Sequence, residues 1–410
     1  MRRAEIHTRI HLYLAMLIAF FLPVSRFVPL FIGLMMLNWL VEGDFGSKFK
    51  TFTRNKFALL FSGFYFLHLI GLAYTENMDS GMFDVQVKLS LLVFPLLLSS
   101  RPFDQTSVNR IFFALITGGV LTSLIMLSRA TYIYSSTGEN NFFYEPFSAF
   151  LIHPGYLSMY LNIAIVFILI NVLRNVSLQR FLPDWLCIVL IIFFSFIIVL
   201  LSSKLGLITL ILIFFVFMAY TVISRKKYVL GIAGLLLLLL SLAGIMKFVP
   251  GTADRVNNAI KALTTPAENS NDAESTAVRM NIWKAANSVI AENFLIGTGT
   301  GDPKDELIKE YERRGMIAAA EHKLNAHNEF YQVFVSLGLI GFIVFCLHLF
   351  LPLIRSFRTG YLLYGVFLLI LILNFLTESM LEAQAGVIFF AFFNSVLCFT
   401  NPKTKEKFKS

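Results

Sequence analysis

The feature that most restricts this chain is the repeated return of apolar runs of about 15 to 23 residues, the length a helix needs to cross a hydrocarbon core. They fall near 10–25, 27–42, 57–74, 85–100, 111–130, 155–173, 185–201, 205–224, 228–248, 329–353, 361–377 and 385–400. That pattern predicts an all-α polytopic membrane protein with about 12 transmembrane helices. Composition agrees: 14% of the residues are charged and 57% hydrophobic, against about 25% charged in a soluble domain. A soluble enzyme on one anchor is excluded, as are collagen-like, disordered and disulfide-scaffold chains. Cys187, Cys346 and Cys398 all lie inside apolar runs, so neither a disulfide framework nor a cysteine metal site is expected. The first run follows Arg2 and Arg3 but lacks a small-residue cleavage site, so it reads as a membrane anchor rather than a signal peptide.

The net charge of +9 would suit nucleic acid, but its distribution points to a bilayer. With a cytoplasmic N-terminus, about twenty Lys and Arg fall on inside segments and four (Arg26, Lys88, Arg129, Lys204) on outside turns, a clear positive-inside bias. Both termini are therefore expected in the cytoplasm of a multi-pass protein, with lipid and not nucleic acid as its surroundings. The expected organisation is spans one to nine over 1–248, an external helical loop over 249–328, three further spans over 329–400 and a basic tail over 401–410. Within the loop, Ser275 or Thr276 can cap a helix running to about Asn293. Asp302, Pro303 and Gly315 bracket a second. Glu306, Glu310, Arg313 and Arg314 read as the solvated face of that second helix. Gly297-Thr298-Gly299-Thr300-Gly301 reads as a flexible turn, since it follows a helix and not the strand a nucleotide loop requires.

Ionisable groups at the mouths of spans cost about 2.5 to 3.5 kcal/mol on insertion scales, so each is a candidate for function. Four collect on the external side: Lys204, Arg279 with Trp283 one turn later, His327, and Glu378 with Glu382 one turn on. Two cations, an imidazole and carboxylates at one interface suit a diphosphate at headgroup level whose tail lies in lipid. Arginine binds phosphate through a planar fork, and an imidazole with an ordinary pKa of about 6.5 can take a proton from an attacking hydroxyl. Plainer readings stand beside these. Lys204 also fits a snorkelling residue, Arg279 a surface helix position, Glu378 a helix mouth, and His327 and His153 interfacial residues. No His-Glu-x-x-His, Asp-x-Asp or paired-His spacing specifies a metal.

His327-Asn328, nine residues and then Gly338-Leu339-Ile340-Gly341 resembles the signature of bacterial O-antigen ligases. Arg279-Met280-Asn281-Ile282-Trp283 followed by Gly297-Thr298-Gly299 is similar to that family's Arg-x-x-x-Trp helix and glycine-rich stretch. Ser203-Lys204-Leu205-Gly206 resembles its Ser-Arg-x-Gly turn, with Lys in place of Arg, and His153-Pro154-Gly155-Tyr156 and Thr377-Glu378-Ser379 also look like family segments. The similarities run from about residue 150 to 390. The resemblance implies a membrane glycosyltransferase of the GT-C type in the bacterial inner membrane. Its donor would be a glycan on undecaprenyl pyrophosphate and its acceptor a sugar hydroxyl of lipid A core or another glycan, joined on the periplasmic face. The reaction would be inverting, without metal or other cofactor. It further implies that His327 activates the acceptor, Glu378 orients His327, and Arg279 and Lys204 bind the pyrophosphate. Trp283, Asn328, His153 and Tyr156 would give support. The nearest alternative is an O-antigen or capsule polymerase using the same donor. A protein O-oligosaccharyltransferase is disfavoured, because such relatives carry a soluble C-terminal part and this chain ends about ten residues after its last span. A transporter is disfavoured because the charges gather at one face rather than at the midplane of matching halves.

Overall fold

The computed structural model describes residues 3–174, 182–225 and 276–400. Among these residues there is no strand. In chain order the helices are α1 (Arg3–Phe21), α2 (Val28–Glu42), α3 (Phe45–Arg54), α4 (Lys56–Gly71), α5 (Met78–Lys88) and α6 (Ser90–Ser100). Then come α7 (Gln105–Thr137), α8 (Tyr144–Ser148), α9 (Pro154–Arg174), α10 (Asp184–Leu201) and α11 (Lys204–Arg225). The last six are α12 (Thr276–Glu292), α13 (Pro303–Arg313), α14 (Ile317–Glu321), α15 (Glu329–Thr359), α16 (Leu362–Phe375) and α17 (Gln384–Phe399). The expected span 228–248, the segment 249–275 and the tail 401–410 lie outside the described residues.

The all-α polytopic class holds, but the count of membrane-length helices is lower than the apolar runs suggested. Among the described residues 8 helices are long and apolar enough to cross a bilayer, or 9 if the bent pair Val28–Glu42 and Phe45–Arg54 is one span. The difference lies partly in α16 and α17, with 14 and 16 residues. At 1.5 Å per residue they reach only about 21 and 24 Å of a core roughly 30 Å thick.

The chain divides into two compact units, one of 1–43 with 103–253 and one of 44–102 with 254–400, apart from short pieces of the tail. In the first, α1 packs on α2 and α7, and α9 packs on α7, α10 and α11. Gly118 of α7 lies against the backbone of Phe20, where any side chain would collide. This is the small-residue crossing that lets helices approach closely in lipid. Asp104 caps α7 by accepting the amide of Ser107 at 2.9 Å, and Gly138 ends it at φ +76°.

In the second unit, α15 packs on α4, α12 and α16, and α17 packs on α6. Three polar side chains inside this apolar bundle bond to one another, which offsets the cost of burying them away from water. Tyr364 donates its hydroxyl to Asn394 Oδ1 at 2.6 Å, and Asn394 Nδ2 lies 3.0 Å from His348 Nε2. The ring of His348 stacks on Phe61 at 4.3 Å.

One helix of this unit is broken, and the break explains two of the glycine motifs. Within α15, Gly338 has φ +62° and ψ −160°, a combination open only to glycine. Such a break strands backbone groups that the membrane interior cannot solvate. The segment 294–299 supplies their partners. Thr298 N and Gly299 N donate to Val335 O and Ser336 O at 2.9 and 3.0 Å, and Leu339 N donates to Phe294 O at 2.8 Å. The two backbones approach so closely that a Cβ on Gly338 would lie 2.5 Å from the nitrogens of Gly297 and Ile296, and one on Gly297 would meet Ser336 O and Gly338 N. The kink also presses Leu337 Cβ onto the place a side chain at Gly341 would need.

The glycine-rich stretch is consequently a bonded plug and not the flexible turn expected from its composition. Its far end is fixed to α4 and the segment after it. Thr300 Oγ1 donates to His68 O at 2.7 Å, and Tyr74 Oη donates to Ile296 O at 2.6 Å. Asp302 heads α13 as expected, yet it makes no side-chain cap. Its carboxylate instead accepts the amides of Glu76 and Asn77 at 2.8 and 2.7 Å.

Beside the plug, α12 and α13 pack through Val278, Ile282, Ala285, Val289, Leu307 and Tyr311, with α12's residues spaced by three and four along one face. The polar side of α13 is less solvated than expected. Glu310 is buried and takes hydrogen bonds from Arg313 and Arg314, while Arg314 Nη2 also reaches Ser288 Oγ of α12 at 2.6 Å. The hydrogen bonds from the two arginines, outweighing burial, hold the Glu310 carboxyl down at about 2.

Candidate active site

Five of the sequence-predicted residues converge in the second unit. Arg279 and Trp283 stand one turn apart on α12, so they share a face. Arg279 donates Nη1 to Thr377 O at 2.7 Å and Nη2 to Glu378 Oε1 at 2.6 Å. Glu378 presents its other oxygen, Oε2, 3.1 Å from His327 Nδ1. One carboxylate thus joins the guanidinium and the imidazole, with side chains 25%, 38% and 20% exposed for Arg279, Glu378 and His327.

The backbone is arranged to hold that contact. His327 sits at φ +44°, the left-handed region that costs a non-glycine residue roughly 1 to 2 kcal/mol. The peptide turns there so that His327 precedes α15 instead of entering it. Asn328 then caps the helix, its Oδ1 accepting the amides of Phe330 and Tyr331 at 2.9 and 3.2 Å. The same residue grips the segment that carries Glu378, donating its amide to Ser379 Oγ at 3.2 Å and Nδ2 to Leu376 O at 2.9 Å. Trp283 Nε1 donates to Ala326 O at 3.0 Å, and its ring stacks on Tyr331 at 6.0 Å and 7°. Every peptide around His327 is therefore tied to a neighbour.

The electrostatics follow from the contacts. Burial alone would raise the Glu378 carboxyl, but the hydrogen bond from His327 and the charge of Arg279 outweigh it and hold it below the ordinary value. An ionised carboxylate can only accept, so the hydrogen it shares with Nδ1 comes from the ring. That leaves the lone pair of the neutral imidazole on Nε2, which has no hydrogen-bond partner among the described residues. A carboxylate that fixes the tautomer of a histidine and supports its protonated form is the arrangement that makes an imidazole an efficient base. Arg279 uses two of its five N–H donors on Thr377 and Glu378, which leaves three, including Nε–H, for a ligand.

The remaining three predicted residues belong to the first unit. Pro154 opens α9, and the amide of Gly155 donates to His153 Nδ1 at 3.2 Å, while the His153 ring lies edge-on to Tyr156 at 6.0 Å. Lys204 is exposed at the first position of α11. Its turn is fixed to α9: Gly206 abuts Ser158, where a Cβ would collide, and Asn162 Nδ2 donates to Gly206 O at 3.0 Å. The glycine of the Ser-Lys-x-Gly turn is thus required by packing, and it brings Lys204 to the same end of α9 as His153 and Tyr156.

The sequence offered Lys88, as an outside-turn residue, and Glu382 separately; the fold buries Lys88 and joins the two in a second ionic group, also in the second unit. Lys88, 1% exposed, pairs with Asp84 one turn earlier and with Glu382 Oε1 at 3.0 Å. Fully buried Glu329 accepts the amide of Leu381 through Oε2 at 2.8 Å. The Asp84 and Lys88 spacing of i, i+4 inside an apolar run was the available signal.

Residues 187–346 match the family model described as O-antigen ligase. The matched stretch contains Lys204, Arg279, Trp283, His327 and Asn328 and both glycine motifs, and it leaves His153, Tyr156 and Glu378 outside. No curated protein matches the chain. With its many membrane-length helices, this is a multi-pass bacterial membrane protein. Over residues 187–346 the chain is similar to the O-antigen ligase family, membrane glycosyltransferases of the ligase or polymerase type.

Proposed function

We propose that the protein transfers a glycan from undecaprenyl pyrophosphate to a sugar hydroxyl of lipid A core, on the periplasmic face of the inner membrane, by a metal-independent inverting displacement. The observation that carries the reading is the hydrogen bond between His327 Nδ1 and Glu378 Oε2 at 3.1 Å, which leaves Nε2 to accept a proton. The acceptor hydroxyl gives its proton to Nε2 as its oxygen attacks the anomeric carbon. The bond from that carbon to the pyrophosphate oxygen breaks, and undecaprenyl pyrophosphate leaves with the electron pair. Because the leaving group is already a stable anion, the protein must supply a base and positive charge. The base is His327 oriented by Glu378, and the charge is the remaining donors of Arg279; a point charge at Lys204 is assigned on the resemblance of its turn alone. Trp283 and Asn328 hold the peptide of His327, and His153 and Tyr156 border the turn of Lys204.

The periplasmic assignment is supported by charge. His327 heads α15, whose other end carries Arg355 and Arg358. Arg355 lies 5.0 Å over the ring of Phe57, beside Lys56 at the start of α4. A basic end opposite the imidazole is what the positive-inside rule asks of a cytoplasmic face.

Two experiments test the reading. After deletion of the gene, lipid A core without long glycan, alongside accumulated polymerised lipid-linked glycan, is expected. Core bearing a single repeat would instead identify a polymerase. In the purified protein, His327→Gln can hydrogen-bond but cannot take a proton near neutral pH, and it should lose about 10² to 10⁴-fold in turnover while still binding donor. Near wild-type turnover would remove the base assignment.

A further inference from the structure

The buried ionic group beside the candidate site has no part in the displacement just described, yet it is bonded to the segment that carries Glu378. Glu378 and Glu382 are four residues apart on the stretch between α16 and α17, with Met380–Glu382 forming a single tight turn. That stretch is tied at several points. Asn328 holds Leu376 and Ser379. Glu329, the next residue, holds the amide of Leu381 at 2.8 Å, and Lys88 holds the carboxylate of Glu382 at 3.0 Å. Lys88 is in turn fixed by Asp84 on the same helix, α5. The side of the stretch that faces the bundle is thus held by an ion pair and a buried carboxyl acceptor, and the other side presents Glu378 to Arg279 and His327.

A short turn held only by backbone hydrogen bonds can rotate by a few tens of degrees at little cost. A charge-assisted contact to a buried ammonium is stronger and directional. We propose that Glu382, held by Lys88, is a positioning residue for the transfer reaction: it sets the orientation of the Glu378 carboxylate and, through it, of the His327 ring. The proposal rests on the reading of His327 and Glu378 given above. It follows that loosening this contact lowers turnover without touching donor or acceptor. A displacement near 1 Å at a reacting group costs on the order of 10²-fold.

Glu382→Ala is the informative change, because it leaves Lys88 paired with Asp84, whereas removing Lys88 would leave buried carboxylates without a cation. In the full-length protein in proteoliposomes, with lipid-linked glycan and acceptor, Glu382→Ala should lower kcat by roughly 10- to 100-fold and move KM less than twofold. Glu382→Gln, which keeps an oxygen for Lys88, should recover most of the loss. In a Glu378→Gln background, Glu382→Ala should add nothing, since the group it positions is already gone. Where alanine does not accumulate, Glu382→Asp, shorter by one methylene with its charge kept, runs the same cycle. Losses that multiply in the double variant, or wild-type kcat in folded Glu382→Ala, overturn the positioning role alone. Wild-type activity in Glu378→Gln overturns the reading of the His327–Glu378 pair and this proposal with it.

Discussion

Replacing Gly338 by alanine tests the broken helix directly. The residue occupies φ +62° and ψ −160°, a region whose occupation costs a residue with a side chain about 1 to 3 kcal/mol. The added methyl would also stand 2.5 Å from the nitrogens of Gly297 and Ile296, nearly an ångström inside normal contact, and these are backbone atoms that no rotamer change can move. Relief requires the segment 294–299 to withdraw, which breaks the bonds from Thr298, Gly299 and Leu339, each worth about 1 kcal/mol net and more when the freed groups stay buried. The expected loss is therefore about 5 kcal/mol, well above an ordinary point substitution. The assay is thermal unfolding of the detergent-solubilised protein followed by tryptophan fluorescence, together with membrane yield. Gly63→Ala on α4 is the control, since nothing lies within 4 Å of its added methyl and helix propensity favours alanine by up to about 1 kcal/mol. Equal unfolding temperatures for the two variants would refute the account of the break. Gly297→Ala should match Gly338→Ala, and the double variant should cost little more than either, because one interface is lost once.

Arg279→Ala should abolish transfer, and Arg279→Lys should retain less activity than Lys204→Arg, because only a guanidinium can hold Thr377 O and Glu378 together and still offer donors to a phosphate; full activity in folded Arg279→Ala would end that assignment. Trp283→Phe keeps an aromatic face for Tyr331 but loses the hydrogen bond to Ala326 O, so turnover should fall by about tenfold with unfolding nearly unchanged, and an unaltered rate would show that His327 is held by other means. For stability against pH, the Glu310 carboxyl is held at about 2 in the folded protein against about 4.3 in the unfolded chain. Its contribution is thus complete above about pH 4.3 and disappears as pH falls toward 2. Unfolding temperatures of wild type and Glu310→Gln should differ at pH 6 and converge near pH 2, and a gap that persists there would contradict the sign.

The local rules were readable in the sequence wherever a residue's own chemistry decides. Pro303 and Gly315 do bound α13, with Gly315 at φ +68°. The order His327, Asn328, Gly338 and Gly341 was legible, but only the folded chain shows what each residue meets: the Glu378 carboxylate, the amides that open α15, a break in that helix, and the side chain of Leu337. What could not be read is pairing at long range. Nothing local links Glu378 to Arg279, 99 positions away, or Thr300 to the carbonyl of His68, 232 positions away. Apolar runs report burial without reporting length in the bilayer, so α16 looked like a full span and has 14 residues.

The sequence distance between Lys88 and Glu382, 294 positions, has a consequence for biosynthesis. The helix bearing Lys88 leaves the ribosome long before its distant partner exists, and a lone ammonium in an apolar segment disfavours entry into the bilayer. Asp84, one turn earlier on the same helix, is available from the moment that helix forms and can neutralise the cation during insertion. Asp84 would then act as a chaperone in cis, holding the charge until α15 and the turn before α17 arrive. Replacing it should reduce insertion of the 78–100 segment in a truncated nascent chain that contains neither Glu329 nor Glu382.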